Sequence, residues 1–306
     1  MPPSLFLSCT ALSMFLLMSS VLLEGASYKS KLRNDITRPF VGKEFWPSPQ
    51  MDWQLNNGKM EVMISKGGKT HDIHLLTHQL KSQEGSFSQS VRLSFEKINP
   101  NKIKRAGFKF GIVGAMPEEY RSNLFGSSGY MAGVTSEGKL FGPGIESKTN
   151  LPKSALEDLR LTLKVEHKGN NFDFILEASK RSNEDKSSVL LFINKSVRMK
   201  KGFLGNLSLF ADYEQKNHAP SIPADIKEFQ TDVTFQDWQI SGDKVKQNLN
   251  QTFGPILWTQ YTLHRGIMKM TAQIAPMGKM NKEKVYLELL KKGKWKKVQS
   301  SGIHEY

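Results

Sequence analysis

Cysteine is almost absent from this chain: Cys9 is the only one in 306 residues. It lies inside the only long apolar run, Leu5 to Leu23, so a chain processed beyond that run has no thiol and no disulfide to brace it. Stability must then come from a packed core, and about 280 residues suffice for one large or two ordinary domains. No second apolar run approaches the roughly 20 residues of a spanning helix, so the remainder reads as soluble. Catalytic signatures are missing too. There is no G-x-S-x-G elbow and no phosphate-cradling glycine loop. Nor is there an E-x-D-x-x-E spacing to set two carboxylates on one face of a strand for glycoside cleavage. The acidic pairs Glu118-Glu119, Glu157-Asp158 and Glu184-Asp185 are adjacent, which on a strand turns them to opposite faces.

What is present begins with Leu5 to Leu23 itself, broken only by Ser, Thr and Cys and followed by the small residues Gly25, Ala26 and Ser27. This is the pattern of an export signal, 1–27, and with Glu24 in an unfavourable place for a cut after Ala26, cleavage after Ser27 fits better. An uncleaved anchor is the other reading. The Ser and Thr content and the lack of Lys or Arg before Leu5 favour cleavage and a periplasmic or extracellular location. The sequence carries 43 Lys and Arg against 29 Asp and Glu, a net charge of +14 that rises to +15 when Glu24 leaves with the signal. Such a surface attracts anionic envelope polymers, phospholipid head groups or phosphate-bearing substrates; outside the cytoplasm no nucleic acid is expected. The basic residues are scattered except at Lys291-Lys292-Gly293-Lys294-Trp295-Lys296-Lys297. Membrane contact is expected only through an uncleaved signal.

Residues 28–45 are polar, aperiodic and read as a linker. From there apolar residues recur at every second position. Met60 and Val62 alternate with polar neighbours, as do Phe87, Val91, Leu93 and Phe95, then Phe108, Phe110 and Ile112. Leu159, Leu161, Leu163 and Val165 interleave with Arg160, Thr162, Lys164 and Glu166, and Phe172, Phe174, Leu176 and Ala178 repeat the pattern after Lys168-Gly169-Asn170-Asn171, so the two segments form a hairpin. Met131 to Thr135, Val189 to Asn194, Leu207 to Tyr213 and Val233 to Gly242 add strands. The best helical stretch is Pro152 to Leu159, with Pro152 in the first turn. Many strands and few helices predict an all-β protein: an antiparallel jelly-roll sandwich over 46–243, then a short β unit over 244–306 with too few strands to close a sandwich.

Asp72-Ile73-His74 has the D-x-H form that opens a two-metal phosphatase site, but the other ligands, to be drawn from Asn217-His218, Gly242-Asp243 and His304, are out of order, and no metal or other cofactor is expected. Aromatics offer a sugar platform instead. Trp46, Trp53, Tyr120, Phe125, Tyr130 and Phe141 are candidates, the last four within the Gly-rich segment 116–144, and Tyr120, Arg121, Phe125, Tyr130 and Phe141 form the candidate ligand-binding set, against the commoner fate of such rings in a core. Asn194, Asn206 and Asn250 head N-x-S/T sequons.

The run Phe235 to Val245, then Thr252-Phe253-Gly254-Pro255-Ile256-Leu257-Trp258, Tyr261 to Gly266 and Lys269 to Pro276 resembles the region before the catalytic domain of exported PhoD-like metallophosphatases, the alkaline phosphatase D family. Gly107 to Ile112, Tyr120-Arg121-Ser122 and Ala132 to Phe141 are similar to the preceding part of those proteins. The resemblance implies a concanavalin-like jelly roll at 46–243, the start of a fibronectin-like domain at 244–306, and a phosphatase domain whose metal ligands would lie beyond Tyr306. No catalytic residue is carried over. The expectation is a non-catalytic exported accessory module that binds saccharide or an anionic envelope polymer. The alternatives are a fragment of a secreted metal-dependent phosphatase or phosphodiesterase, and a jelly-roll glycoside-active enzyme.

Overall fold

The computed structural model describes residues 25–63, 70–81, 84–96, 103–116, 119–126, 128–181, 187–198, 203–213, 231–278 and 283–304. The apolar run Leu5 to Leu23 with Cys9, the acidic pair Glu184-Asp185, Glu118 and His218 lie outside the described residues. Among the described residues the strands are β1 (Ala26–Lys29), β2 (Thr37–Arg38), β3 (Phe45–Ser48), β4 (Trp53–Asn56), β5 (Lys59–Met63), β6 (Thr70–Leu80) and β7 (Phe87–Phe95). They continue as β8 (Ile103–Ile112), β9 (Tyr130–Thr135), β10 (Leu140–Gly142), β11 (Ile145–Glu146), β12 (Leu159–Lys168), β13 (Asn171–Arg181) and β14 (Ser187–Arg198). The last are β15 (Gly205–Tyr213), β16 (Thr231–Gly242), β17 (Val245–Gln247), β18 (Ile256–His264), β19 (Ile267–Ile274), β20 (Lys284–Lys291) and β21 (Lys294–Gly302).

One sheet runs β14-β13-β12-β7-β16-β5-β4-β2, with β1 also on β16; the other runs β11-β10-β9-β8-β15-β6-β17, with β3 also on β6. All pairings are antiparallel. The alternation that predicts the strands also builds the core. β7 buries every second residue, Phe87 to Phe95, and β12 does the same with Leu159, Leu161, Leu163 and Val165. These meet Ile73, Leu75, Phe108, Phe110, Leu207 and Leu209 from the facing sheet in one continuous apolar layer. Each such fully buried side chain contributes about 1.5–3 kcal/mol. The chain is therefore all-β, an antiparallel jelly-roll sandwich. The hairpin at Gly169-Asn170 forms as expected, with Lys168 opposite Asn171 and Gly169 at φ 60°.

Three departures from the sequence reading have physical causes. The stretch 28–45 is no bare linker: β1 lies on the second half of β16, and Tyr28, Phe40, Val41 and Phe45 are buried. The jelly roll also continues past residue 243, because Val245–Gln247 pairs with Leu80, Gln79 and His78 of β6. Pro152 to Leu159 is no α-helix but a single 3₁₀ turn, Lys153–Glu157, with extended Pro152 before it and extended Asp158 after it. β16 carries a bulge where the register on β7 shifts between Gln236 and Gln239, and Asp237 has φ 49°. The extra residue reverses the alternation, so Val233 and Phe235 point inward before it and Trp238 and Ile240 after it. Ser30 closes the gap: its amide donates to the Trp238 carbonyl at 2.8 Å, and its hydroxyl accepts from the Trp238 amide at 3.0 Å.

Beyond β17 two hairpins, β18–β19 and β20–β21, each form their own two-stranded sheet. Their two-residue turns, Arg265-Gly266 and Lys292-Gly293, have positive φ at both positions, as a tight type I′ turn requires. They join the jelly roll through a second apolar cluster of Phe40, Ala275 and Met277, with Phe253, Ile274 and Ile303 packed around it. The Phe40 amide donates to Pro276 O at 3.1 Å, and Arg33 is ion-paired with Glu283. The supposed linker is thus the seam between the two parts.

Candidate functional site

Strand alternation sends one set of residues from the β11-to-β17 sheet into the core and the other to its outer face. Three rows of that outer face can be followed by register. One holds Thr70, Asp212, Arg105 and Thr135. The next holds Asp72, Phe210, Gly107, Gly133 and Phe141. The third holds Trp46, His74, Ser208, Lys109 and Met131.

In the first row the Arg105 Nε donates to Asp212 Oδ2 at 2.8 Å, and Thr70 Oγ1 donates to Asp212 Oδ1 at 3.3 Å. The held guanidinium lies over the Phe141 ring, 5.4 Å from its centroid, and Phe141 meets Phe210 edge-on at 6.4 Å. The strands between these rings carry no side chains, because a Cβ on Gly107 would lie 2.3 Å from Ala132 O and one on Gly133 2.1 Å from Ala106 O. Lys139 and Glu146 pair at the sheet's edge, 3.3 Å apart.

The third row is sealed. Lys109 Nζ donates to Asp72 Oδ2 at 2.9 Å, both side chains being largely buried. Burial raises the Asp72 carboxyl above its usual range, against the pull of Lys109. His74 is buried, and its ring is pushed down to about 3 by desolvation and then by the Lys109 charge, so it is neutral. Both His74 nitrogens, Ser208 Oγ and Asp72 Oδ1 are buried with no hydrogen-bond partner among the described residues.

These facts decide what chemistry the face can perform. Asp72 and His74 do share a face, as a D-x-H metal pair must, but an ammonium already occupies the carboxylate. Among the described residues no three His, Cys, Asp or Glu converge to hold a metal. Ser208, His74 and Asp72 are the residue types of a nucleophilic triad, yet no hydrogen bond links them, and Ser208 and His74 are closed to substrate. Asp72 and Asp212 could suggest a glycosidase pair, but each is neutralised by its own cation.

The five residues singled out in the sequence are divided by the fold. Phe141 is on the outer face. Tyr130, opposite Phe110 in the register, turns to the core side and packs on Phe203 at 4.8 Å. Tyr120, Arg121 and Phe125 belong to the loop after β8, which carries the 3₁₀ turn Ser122–Phe125. Arg121 lies over the Tyr120 ring at 5.5 Å and pairs with Glu119, and Phe125 is 79 % exposed. Asn206 fastens this loop to β15: its Oδ1 accepts from Asn123 Nδ2 at 3.3 Å and its Nδ2 donates to Tyr120 O at 3.4 Å. That sequon asparagine is fully buried, whereas Asn194 and Asn250 are exposed. Trp53 is also buried, stacked on Phe235. The Arg105–Asp212 pair was missed in the sequence; its partners are 107 residues apart and only the register joins them.

No family model matches the chain, and no curated protein matches it. Solved structures similar to it include an endo-1,3-β-glucanase from Streptomyces sioyaensis, at 11% identity and TM-score 0.39 over 63% of this chain and 79% of that one. A lectin from Bauhinia forficata in complex with GalNAc matches at 9% identity and TM-score 0.41, over 73% of this chain and 99% of that one. The Emp47p carbohydrate recognition domain matches at 11% identity and TM-score 0.33, over 70% and 96%.

Proposed function

We propose that this chain is a non-catalytic, exported saccharide-binding β-sandwich, the accessory region of a PhoD-like phosphatase, that holds an anionic polysaccharide along the outer face of the β11-to-β17 sheet. One observation carries the reading: a half-exposed guanidinium, fixed by Asp212 and stacked on Phe141, lies beside carboxylates that are all neutralised. The guanidinium gives a polymer's acidic group a fixed partner, and the partly exposed Phe141 ring, backed by the buried Phe210, gives a sugar ring an apolar edge. Neither supplies a proton donor or a nucleophile. From Arg105 the face follows β8 to Ile112 for about 23 Å, at roughly 3.3 Å per residue, towards the loop that carries Tyr120, Arg121 and Phe125, so an extended polymer would touch both. Tyr130 is left out of this site because it packs on the core side.

Titration calorimetry with an anionic polysaccharide such as polygalacturonate and a neutral β-glucan tests it. Arg105→Ala and Phe141→Ala are each expected to weaken anionic-polymer binding at least tenfold, with near-UV circular dichroism unchanged. Equal binding by both variants and the wild type would reject the site. Turnover of a chromogenic phosphodiester with added divalent metal, abolished by chelator, would reject the non-catalytic reading.

A further inference from the structure

We propose that the outer half of the β20–β21 hairpin docks the protein onto an anionic phospholipid bilayer. This surface shares no residue with the outer-face site. The half of the hairpin next to residues 275–277 faces a cavity of about 800 Å³, which Val285, Leu287, Gln299 and Ile303 help to line. The other half, from Glu288 to Val298, takes no part in that cavity, and every residue in it is exposed.

Register sets the chemistry of that tip. Leu290 lies opposite Trp295, so both side chains emerge on one face beside the turn, 58 % and 66 % exposed. On the other face Leu289 lies opposite Lys296 and Lys291 opposite Lys294. Lys292 fills the first turn position and Gly293 the second, and Lys297 stands 3.8 Å above the Tyr286 ring, two residues further from the turn than Glu288. Five ammonium groups thus ring three apolar side chains, and Glu288 is the one carboxylate on the tip.

Charge complementarity chooses an anionic surface, and the apolar residues choose which kind. A polysaccharide or a nucleic acid would engage the lysines but leave Leu289 and Leu290 in water. A bilayer takes both: tryptophan and leucine enter the headgroup boundary while lysines remain at the phosphate level. The tight turn makes the tip narrow enough to insert without unpairing a strand. Each lysine near an anionic leaflet is worth on the order of fivefold in partitioning.

Tryptophan fluorescence of the full chain, titrated with vesicles of brominated phosphatidylglycerol, tests the proposal, since no tryptophan precedes Trp46 and insertion of the N-terminal apolar run is silent. The expected result is quenching in the wild type and in Trp258→Phe, lost in Trp295→Phe. Replacing Lys291, Lys292, Lys294, Lys296 and Lys297 together by Gln should lower partitioning at least a hundredfold, and 0.5 M salt should act in the same direction. All these positions are exposed, so the variants keep the core; near-UV circular dichroism confirms it. Quenching that persists in Trp295→Phe, or equal binding to phosphatidylcholine and phosphatidylglycerol, overturns the proposal. Loss of polygalacturonate binding in the five-lysine variant, without any Trp295 quenching by vesicles, overturns it in favour of a polymer site.

Discussion

At the scale of single residues, the outer face shows how burial can disarm groups that look catalytic in a sequence. His74 has the neighbours of a metal ligand two positions from Asp72, but its ring is enclosed and unpartnered. A histidine that is neutral when folded and titrates normally when unfolded makes stability depend on pH. Its folded value, about 3, lies below its unfolded value of 6.5. As pH falls below 6.5 the unfolded chain gains the proton first, so stability is lost progressively from there towards pH 3. Between pH 7.5 and pH 5 the wild type is expected to lose about 2 kcal/mol relative to His74→Leu, at about 1.4 kcal/mol per pH unit below 6.5, measured by urea unfolding. Asp72 acts in the opposite sense, since a carboxyl raised by burial is relieved when it protonates. Comparing the two proteins isolates the imidazole; identical pH profiles would show that His74 takes up its proton as readily in the folded state as in the unfolded one. The D-x-H pattern was legible in the sequence. Its fate was not, because Lys109 reaches it only through β15 between them.

At the scale of elements, strands with strict alternation and a turn signal were legible, as β12 and β13 were, because burial of one face leaves a period of two. β16 reads as one strand, yet its inward set changes parity at the Asp237 bulge, and no local pattern announces the change. β1 was invisible for another reason: four residues are too few for a period, and their partners are more than 200 positions away. Tyr28 makes this short strand matter. It is buried among the core residues, and its hydroxyl donates to Glu44 at 3.1 Å. Tyr28→Ala is expected to cost about 3 kcal/mol, in the range of other buried aromatic truncations, and Tyr28→Phe about 1 kcal/mol for the lost hydrogen bond. Denaturant midpoints of the two variants check this, and a silent Tyr28→Ala would show that β1 adds nothing to the core. A cut after Ser27 would fall within β1 and make Tyr28 the new N-terminal residue, still opposite Ile240.

At the scale of the whole molecule, the jelly roll is closed and well filled, while the two hairpins are not. Tyr261, Leu263, Met268 and Met270 share one face of β18–β19 and are 66, 71, 42 and 43 % exposed. Two-stranded sheets are marginal by themselves, and contiguous apolar surface on this scale marks a place of contact. The native chain is accordingly expected to bind an apolar dye such as anilinonaphthalene sulfonate. The double change Met268→Gln, Met270→Gln should at least halve the signal without altering near-UV circular dichroism. Absence of a native-state signal would mean that the face is covered in solution, and a sedimentation coefficient for a dimer would identify a second copy as the cover. The sequence foresaw a short β unit after the jelly roll. It could not show the seam, because Phe40, Ala275 and Met277 come from segments with no common period.

The pairing of β1 with β16 also sets the order in which this protein can come together. Ala26 faces Gly242, so the first strand has no partner until nearly the whole jelly roll has been synthesised. A contact spanning so much chain is slow to form, and until it does β16 exposes half an edge with Trp238 beside it. The jelly roll therefore completes its folding by joining its first strand to one of its last, and in the interval before that step aggregation through the open edge competes with closure.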